Sequence, residues 1–132
     1  MISKVRNNKS AFTLVEIMIV VAIIGLLAAL AIPGFVKARK QSQGRRIIND
    51  ARQMDAAIDQ WALENGMKDG DAVVVTAAQS YMKTAWPVND LLGNPYGGVA
   101  AGTVGPVGTN QVTISATTKS ALQAVGIDWG PY

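Results

Sequence analysis

Few residues in this chain have the type and spacing to do chemistry. The most conspicuous is a carboxylate in apolar surroundings: Glu16 is the sole charge in the run Phe12–Val36. The chain has no Cys and no His. That removes thiol nucleophiles, disulfides, thiolate or imidazole metal ligands and imidazole acid–base catalysis. Ser or Thr nucleophiles would then need a Lys partner, and none is recognisable. The Gly-rich segment 97–108 lacks the Lys and Ser/Thr spacing of a phosphate loop and reads as loops of a small sheet. Asn89, Asp90 and Asp128 carry oxygens that could reach a calcium ion. Their spacing defines no site, so solvated loop carboxylates are the simpler reading. No catalytic residue, cofactor or metal ligand is therefore expected, and an exported enzyme is the weakest of the functions considered.

The element that positions Glu16 is the apolar run itself. From Ile17 to Val36 there is no charge. As a helix rising ~1.5 Å per residue it spans roughly 30 Å, the thickness of a bilayer's hydrocarbon core. A carboxylate inside such a span costs on the order of 3 kcal/mol at mid-membrane and less near the interface, so a compensating partner is expected. The net charge of +3 over 132 residues is unevenly spread. Lys4, Arg6 and Lys9 precede the run, and Lys37, Arg39, Lys40, Arg45 and Arg46 follow it. Beyond Arg46, four bases (Arg52, Lys68, Lys83, Lys119) face eight acids. The distal part thus gives a nucleic-acid partner little electrostatic support. The flanking bases lie where anionic lipid head groups would sit.

Residues 1–11 form a short basic leader. A secretory signal places its small-residue cleavage site after the apolar core. Here Ser10 and Ala11 come before that core, and Lys37–Ala38–Arg39–Lys40 follows it. Cleavage ahead of the run would leave the span in the mature chain.

The sequence Ala11-Phe12-Thr13-Leu14-Val15-Glu16-Ile17, followed by Gly25 and Ala31-Ile32-Pro33, resembles the amino-terminal signature of type IV pilins and the pseudopilins of type II secretion. The resemblance is specific over Phe12–Gly34, fades toward Gly66 and is weak in the carboxy-terminal half. It implies cleavage by a prepilin peptidase between Ala11 and Phe12, and N-methylation of Phe12. Ala11 stands where the family usually has Gly. It further implies that Phe12 of one subunit pairs with Glu16 of its neighbour in a helical filament, and that Gly25–Pro33 can lose helicity there. An ordinary transmembrane kink at Pro33 is the alternative. Glu16 would also benefit from the helix dipole in the first turn.

From Val36 onward the pattern becomes amphipathic. Ile47, Ala51, Met54, Ile58 and Trp61 recur at spacings of four and three, one helical stripe. Arg46–Asp50 and Arg52–Asp55 are candidate pairs along the helix. Asn65–Gly66 is a stop signal. The expected element is one helix over 12–65, with its rear face packed on a head. The head, 67–132, is expected to hold a polar turn at 67–71 and a short helix over Thr76–Lys83 capped by Thr76. Turn chemistry follows at Asn94–Gly98. A strand over Gln111–Ser115 is expected after a turn at 108–110, its partner around 96–103. A helical turn over Ser120–Val125 and a packed tail from Ile127 complete it.

The fold class is therefore α+β, a long N-terminal helix packed on a small head with a short antiparallel sheet. The divisions are leader 1–11, membrane and polymerisation helix 12–36, amphipathic helix 37–66 and head 67–132. The resemblance implies a filament subunit, not an enzyme. Its expected partners are further copies of itself, a prepilin peptidase, an inner-membrane assembly machinery and membrane lipids. The chain would sit in the bacterial inner membrane, head outside the cytoplasm, then in a periplasmic pseudopilus or a surface filament. Many major pseudopilins bind calcium near their carboxy terminus, and Gly93–Asn94–Pro95–Tyr96 faintly resembles a segment of theirs. The alternative function is a monomeric single-span anchor with a partner-binding head.

Overall fold

The computed structural model describes residues 10–97, 105–108 and 111–132. Among the described residues three α-helices are formed: α1 (Leu14–Glu64), α2 (Val75–Ala78) and α3 (Ala116–Ala121). Single 3-10 turns follow α2 at Gln79–Tyr81 and α3 at Gln123–Val125. The chain divides into two units, one ending at Val36 and the other running Lys37–Tyr132.

In the first unit α1 is apolar all round apart from Glu16, and none of it is covered by the described residues. Leu14 is 80% exposed and Phe35 71%. The helix is long and apolar enough to cross a membrane.

In the second unit the expected stripe forms the core. Ile47, Ala51, Met54 and Ile58 have no exposed surface and Trp61 is buried. Ile48, Ala57 and Ala62 widen the stripe, and Trp86, Tyr96, Val112, Ile114 and Leu122 pack on it from the rest of the chain. The stop at Asn65–Gly66 is a Schellman turn. The Met67 N–H donates to Ala62 O (2.9 Å) and the Gly66 N–H to Leu63 O (3.5 Å), with Gly66 at φ +65°. Only a residue at ease in that left-handed region can close the turn. The Asn65 side chain adds a bond to Trp61 O.

Three expectations are corrected. Among the described residues no strand is formed, and pairing is limited to one bridge, Asn89 with Pro95. Gln111–Ser115 buries Val112 and Ile114 and leaves Thr113 and Ser115 half-exposed, but Gln111 is buried as well. The alternation thus holds only from Val112 onward, and the backbone bonds are scattered: Gly97 N–H to Thr113 O and Gly105 N–H to Gln111 O. Most of the expected partner strand, and residues 109 and 110 of the turn, lie outside the described residues. The helix expected over Thr76–Lys83 with Thr76 as its cap begins at Val75, its cap two residues before Thr76. Val74 holds the cap position without a side-chain bond, and the helical run ends at Tyr81. Burial of Ala78 and packing of Val75 on the core set this register, and a Thr hydroxyl could not override it. The last helical segment starts at Ala116, not Ser120, because Ser115 caps it: its hydroxyl accepts the Thr118 N–H.

Candidate functional site

The helix begins at Leu14, which puts Thr13 at the N-cap and Glu16 two residues into the first turn. The Thr13 N–H donates to Glu16 Oε2 (3.0 Å), and the Glu16 N–H donates to Thr13 Oγ1 (3.2 Å). This is a capping box, two otherwise orphaned N–H groups satisfied reciprocally. Sequence reasoning missed it although the pattern Thr-x-x-Glu stood in plain view. The Glu16 carboxylate therefore has a partner inside its own chain. A carboxylate offers about four acceptor positions, so the bond from Thr13 leaves capacity for an amine.

The expected cleavage bond, Ala11–Phe12, lies in non-helical backbone just before this cap, and both residues are exposed, Phe12 by 84%. A peptidase needs such a segment, because helical hydrogen bonding hides the backbone. Gly25 and Pro33 sit within unbroken helix. Pro33 has no N–H, so the Ala29 carbonyl lacks its donor four residues on. A Cβ added at Gly25 or Gly34 would meet no atom within 4 Å. Nothing among the described residues needs glycine there, and the missing side chains leave notches open to another helix.

The second unit brings together groups that sequence reasoning did not. Asp55 is half-buried on α1 beside the Tyr132 side chain and the Val112 backbone, and its Oδ1 is buried with no hydrogen-bond partner among the described residues. Burial, with Asp59 beside it, raises its pKa to about 6. Arg52 addresses Tyr132 as well, so the expected Arg52–Asp55 pair becomes a meeting of both residues at the tail. Asp50 faces the Tyr96 hydroxyl, whose pKa burial and the Asp50 charge push up. Gly44 lies against Ile127: a Cβ at Gly44 would stand 2.1 Å from Ile127 Cδ1.

Two of the residues considered for calcium already accept hydrogen bonds from the protein. Asp90 is buried. Its Oδ1 accepts the N–H groups of Leu92 (2.8 Å) and Asn94 (3.0 Å), and its Oδ2 accepts the Thr118 hydroxyl. Asp128 Oδ1 accepts the Gly130 N–H. Among the described residues no group of three or more acidic side chains is placed to hold a metal ion.

An uncovered apolar helix, opened by a capping box and preceded by exposed non-helical backbone, fits a membrane-anchored class of protein. Residues 6–32 match the family described as the prokaryotic N-terminal methylation motif. The chain is 33% identical over 114 residues to the type II secretion system core protein G of Pseudomonas aeruginosa, covering 76% of this chain and 80% of that one. It is 32% identical over 109 residues to the type IV major fimbrial protein FimA of Dichelobacter nodosus, covering 83% and 63%. With the type II secretion system core protein G of Klebsiella michiganensis it shares 32% over 60 residues, 46% of this chain and 42% of that relative. The matches to these last two thus span less than two thirds of the relatives' own length. No solved structure matches. The chain belongs to the family of type IV pilins and type II secretion pseudopilins.

Proposed function

We propose that the chain is a structural subunit of a type IV pilus-like filament or a type II secretion pseudopilus, and acts by assembly and not by catalysis. The observation that carries this reading is the wholly exposed apolar half of α1, opening on the Thr13–Glu16 cap one residue after an accessible Ala11–Phe12 bond. A prepilin peptidase cuts that bond and Phe12 becomes a methylated amino terminus. The span stores the subunit in the inner membrane with its second unit outside the cytoplasm. An inner-membrane machinery then moves it from lipid into a bundle of like helices, in the periplasm or at the surface. Apolar surface is covered in both states. The Phe12 amine of one copy meets the Glu16 carboxylate of the next, and an ion pair is favoured there because an isolated carboxylate in that medium is costly. Gly25 and Pro33 allow the middle of the span to adapt its packing.

Mass spectrometry of the mature chain tests this: a start at N-methylated Phe12 is expected, and an intact Met1 would point to a plain anchor. Glu16→Ala should insert and be cleaved yet fail to yield filaments.

A further inference from the structure

The second unit is charged unevenly along α1. At its start, Lys37, Arg39, Arg45 and Arg46 are exposed and Lys40 half-exposed, with no acid until Asp50. Arg52 continues this face, and Lys119 lines a groove beside Ile127, the residue that packs on Gly44. Two acids lie in this neighbourhood: Asp50 shares a groove with Arg45 and Arg46, and Asp128 shares one with Arg45 and Arg52. The other end of the helix is the reverse. Asp59, Glu64, Asp69 and Asp71 are exposed and Asp55 half-buried, against Lys68. The 3-10 turn over Gln79–Tyr81 joins this end, because the Tyr81 hydroxyl donates to Glu64; Lys83 follows it. Roughly 30 Å of helix, at ~1.5 Å per residue, separates Arg45–Arg46 from Glu64.

Lys37 and Lys40 can be satisfied by lipid head groups next to the apolar run. Arg45, Arg46 and Arg52 stand more than two helical turns past Val36. Exposed on the second unit, they are open to a protein partner as well as to water. The acidic end of a second copy has the matching charge. On the filament reading, on which this inference rests, all copies enter one membrane in the same direction, so an antiparallel pairing is closed to them. Parallel copies bring basic end to acidic end only by shifting along the axis.

We propose that the basic face of α1 around Arg45 and Arg46 docks on the acidic end of a neighbouring copy around Glu64 and Asp69, with the two copies staggered by roughly 30 Å. Such a contact uses different patches on the two partners. It does not close on itself, and it therefore propagates. Each exposed charge pair is weak alone, and the contact depends on several acting together along the assembly.

The test is a charge swap in the full chain, produced with its processing and assembly system and read as the amount of sheared filament against membrane-held mature subunit. R45E/R46E and E64K/D69K are each expected to lower filament yield at least tenfold while cleaved subunit accumulates. The combined four-residue swap is expected to restore yield to within about twofold of wild type. Wild-type yield from either double variant, or no recovery in the combined one, overturns the proposal. So does a defect confined to R45E/R46E and accompanied by lost membrane retention, which would assign these arginines to lipid. Absence of filaments from the wild-type chain would sink the filament reading and this one together; filaments indifferent to the swaps sink only this one.

Discussion

Gly44 offers the sharpest test of the second unit's packing. An alanine there places its Cβ 2.1 Å from Ile127 Cδ1 and 3.1 Å from Cγ1, so the isoleucine must move. Two effects oppose each other. Replacing a mid-helix glycine with alanine gains about 1 kcal/mol of helix propensity. Forcing Ile127 off its rotamer, or out of its half-buried seat, costs about 1–3 kcal/mol. The net for Gly44→Ala should fall between about zero and 2 kcal/mol of destabilisation. Gly44→Leu has no such compromise. It must lift the segment from Ile127, whose Trp129 and Tyr132 also pack on the core, and should lower the melting temperature by about 10 °C or more. The assay is thermal unfolding of the full chain in detergent, followed by tryptophan fluorescence, in which Trp129 reports on the tail. The deciding measurement is a double-mutant cycle with Ile127→Ala. If the close approach is the cause, shortening Ile127 relieves Gly44→Ala, with a coupling of about 1 kcal/mol. Additivity within about 0.5 kcal/mol would refute the reasoning, because two residues in contact cannot be independent.

Asp55 sets a pH dependence. Its pKa is raised from 3.8 to about 6 in the fold, so the folded state holds its proton more tightly than the unfolded chain. Its contribution therefore improves as pH falls from about 6 toward 4, and the charged form costs stability above pH 6. The residue as a whole is only half-buried, which limits the effect to about 1 kcal/mol. Asp55→Asn should raise the melting temperature at pH 7.5 and leave it unchanged near pH 4; equal shifts at both would contradict this. Gly66→Ala puts a Cβ on a φ of +65° and should cost about 1 kcal/mol, read in the same melt. Thr13→Ala removes a helix cap worth about 1 kcal/mol and should speed hydrogen exchange of the Glu16 amide in micelles, whereas Thr13→Ser should not. Chelation of divalent metal should leave the melting temperature unmoved, since protein donors already engage both Asp90 oxygens; a calcium-dependent rise would show that the loop rearranges around a cation.

What the sequence made legible was local. The stripe from Ile47 to Trp61 follows from helical spacing, and it forms the floor of the core. Asn65–Gly66 stops α1 because glycine alone is at ease at that φ. The capping box was equally local: Thr13-x-x-Glu16 is four residues of known chemistry, hidden only by attention to the charge and its membrane cost. The illegible features all join distant positions. Gly44 meets Ile127, Asp55 meets Tyr132, and the Asp59 carboxylate accepts from Gln111, and no periodicity announces such pairs. The strand at Gln111–Ser115 failed for a related reason. Alternation records which side chains are buried, not whether a neighbour is in register, and Val112 and Ile114 are buried against helix α1's stripe without forming a ladder.

The uncovered half of α1 is equally at home among lipid tails or like helices, so burial of apolar surface hardly distinguishes the two. On the filament reading, the balance between stored and assembled subunit is then set by the minority of residues that are not simply apolar. Glu16 is held at the helix start by Thr13, which fixes where its remaining acceptor capacity points. The notches at Gly25 and Gly34 reward a helix neighbour and offer a lipid tail little. The arginines past Val36 add a term that depends on charge and on salt. A few weak and specific contacts, set against a large but balanced hydrophobic term, should let one substitution such as Glu16→Ala shift the equilibrium at the cost of one capping bond, that from the Thr13 N–H. A stronger apolar preference for the bundle would have made assembly irreversible and independent of processing.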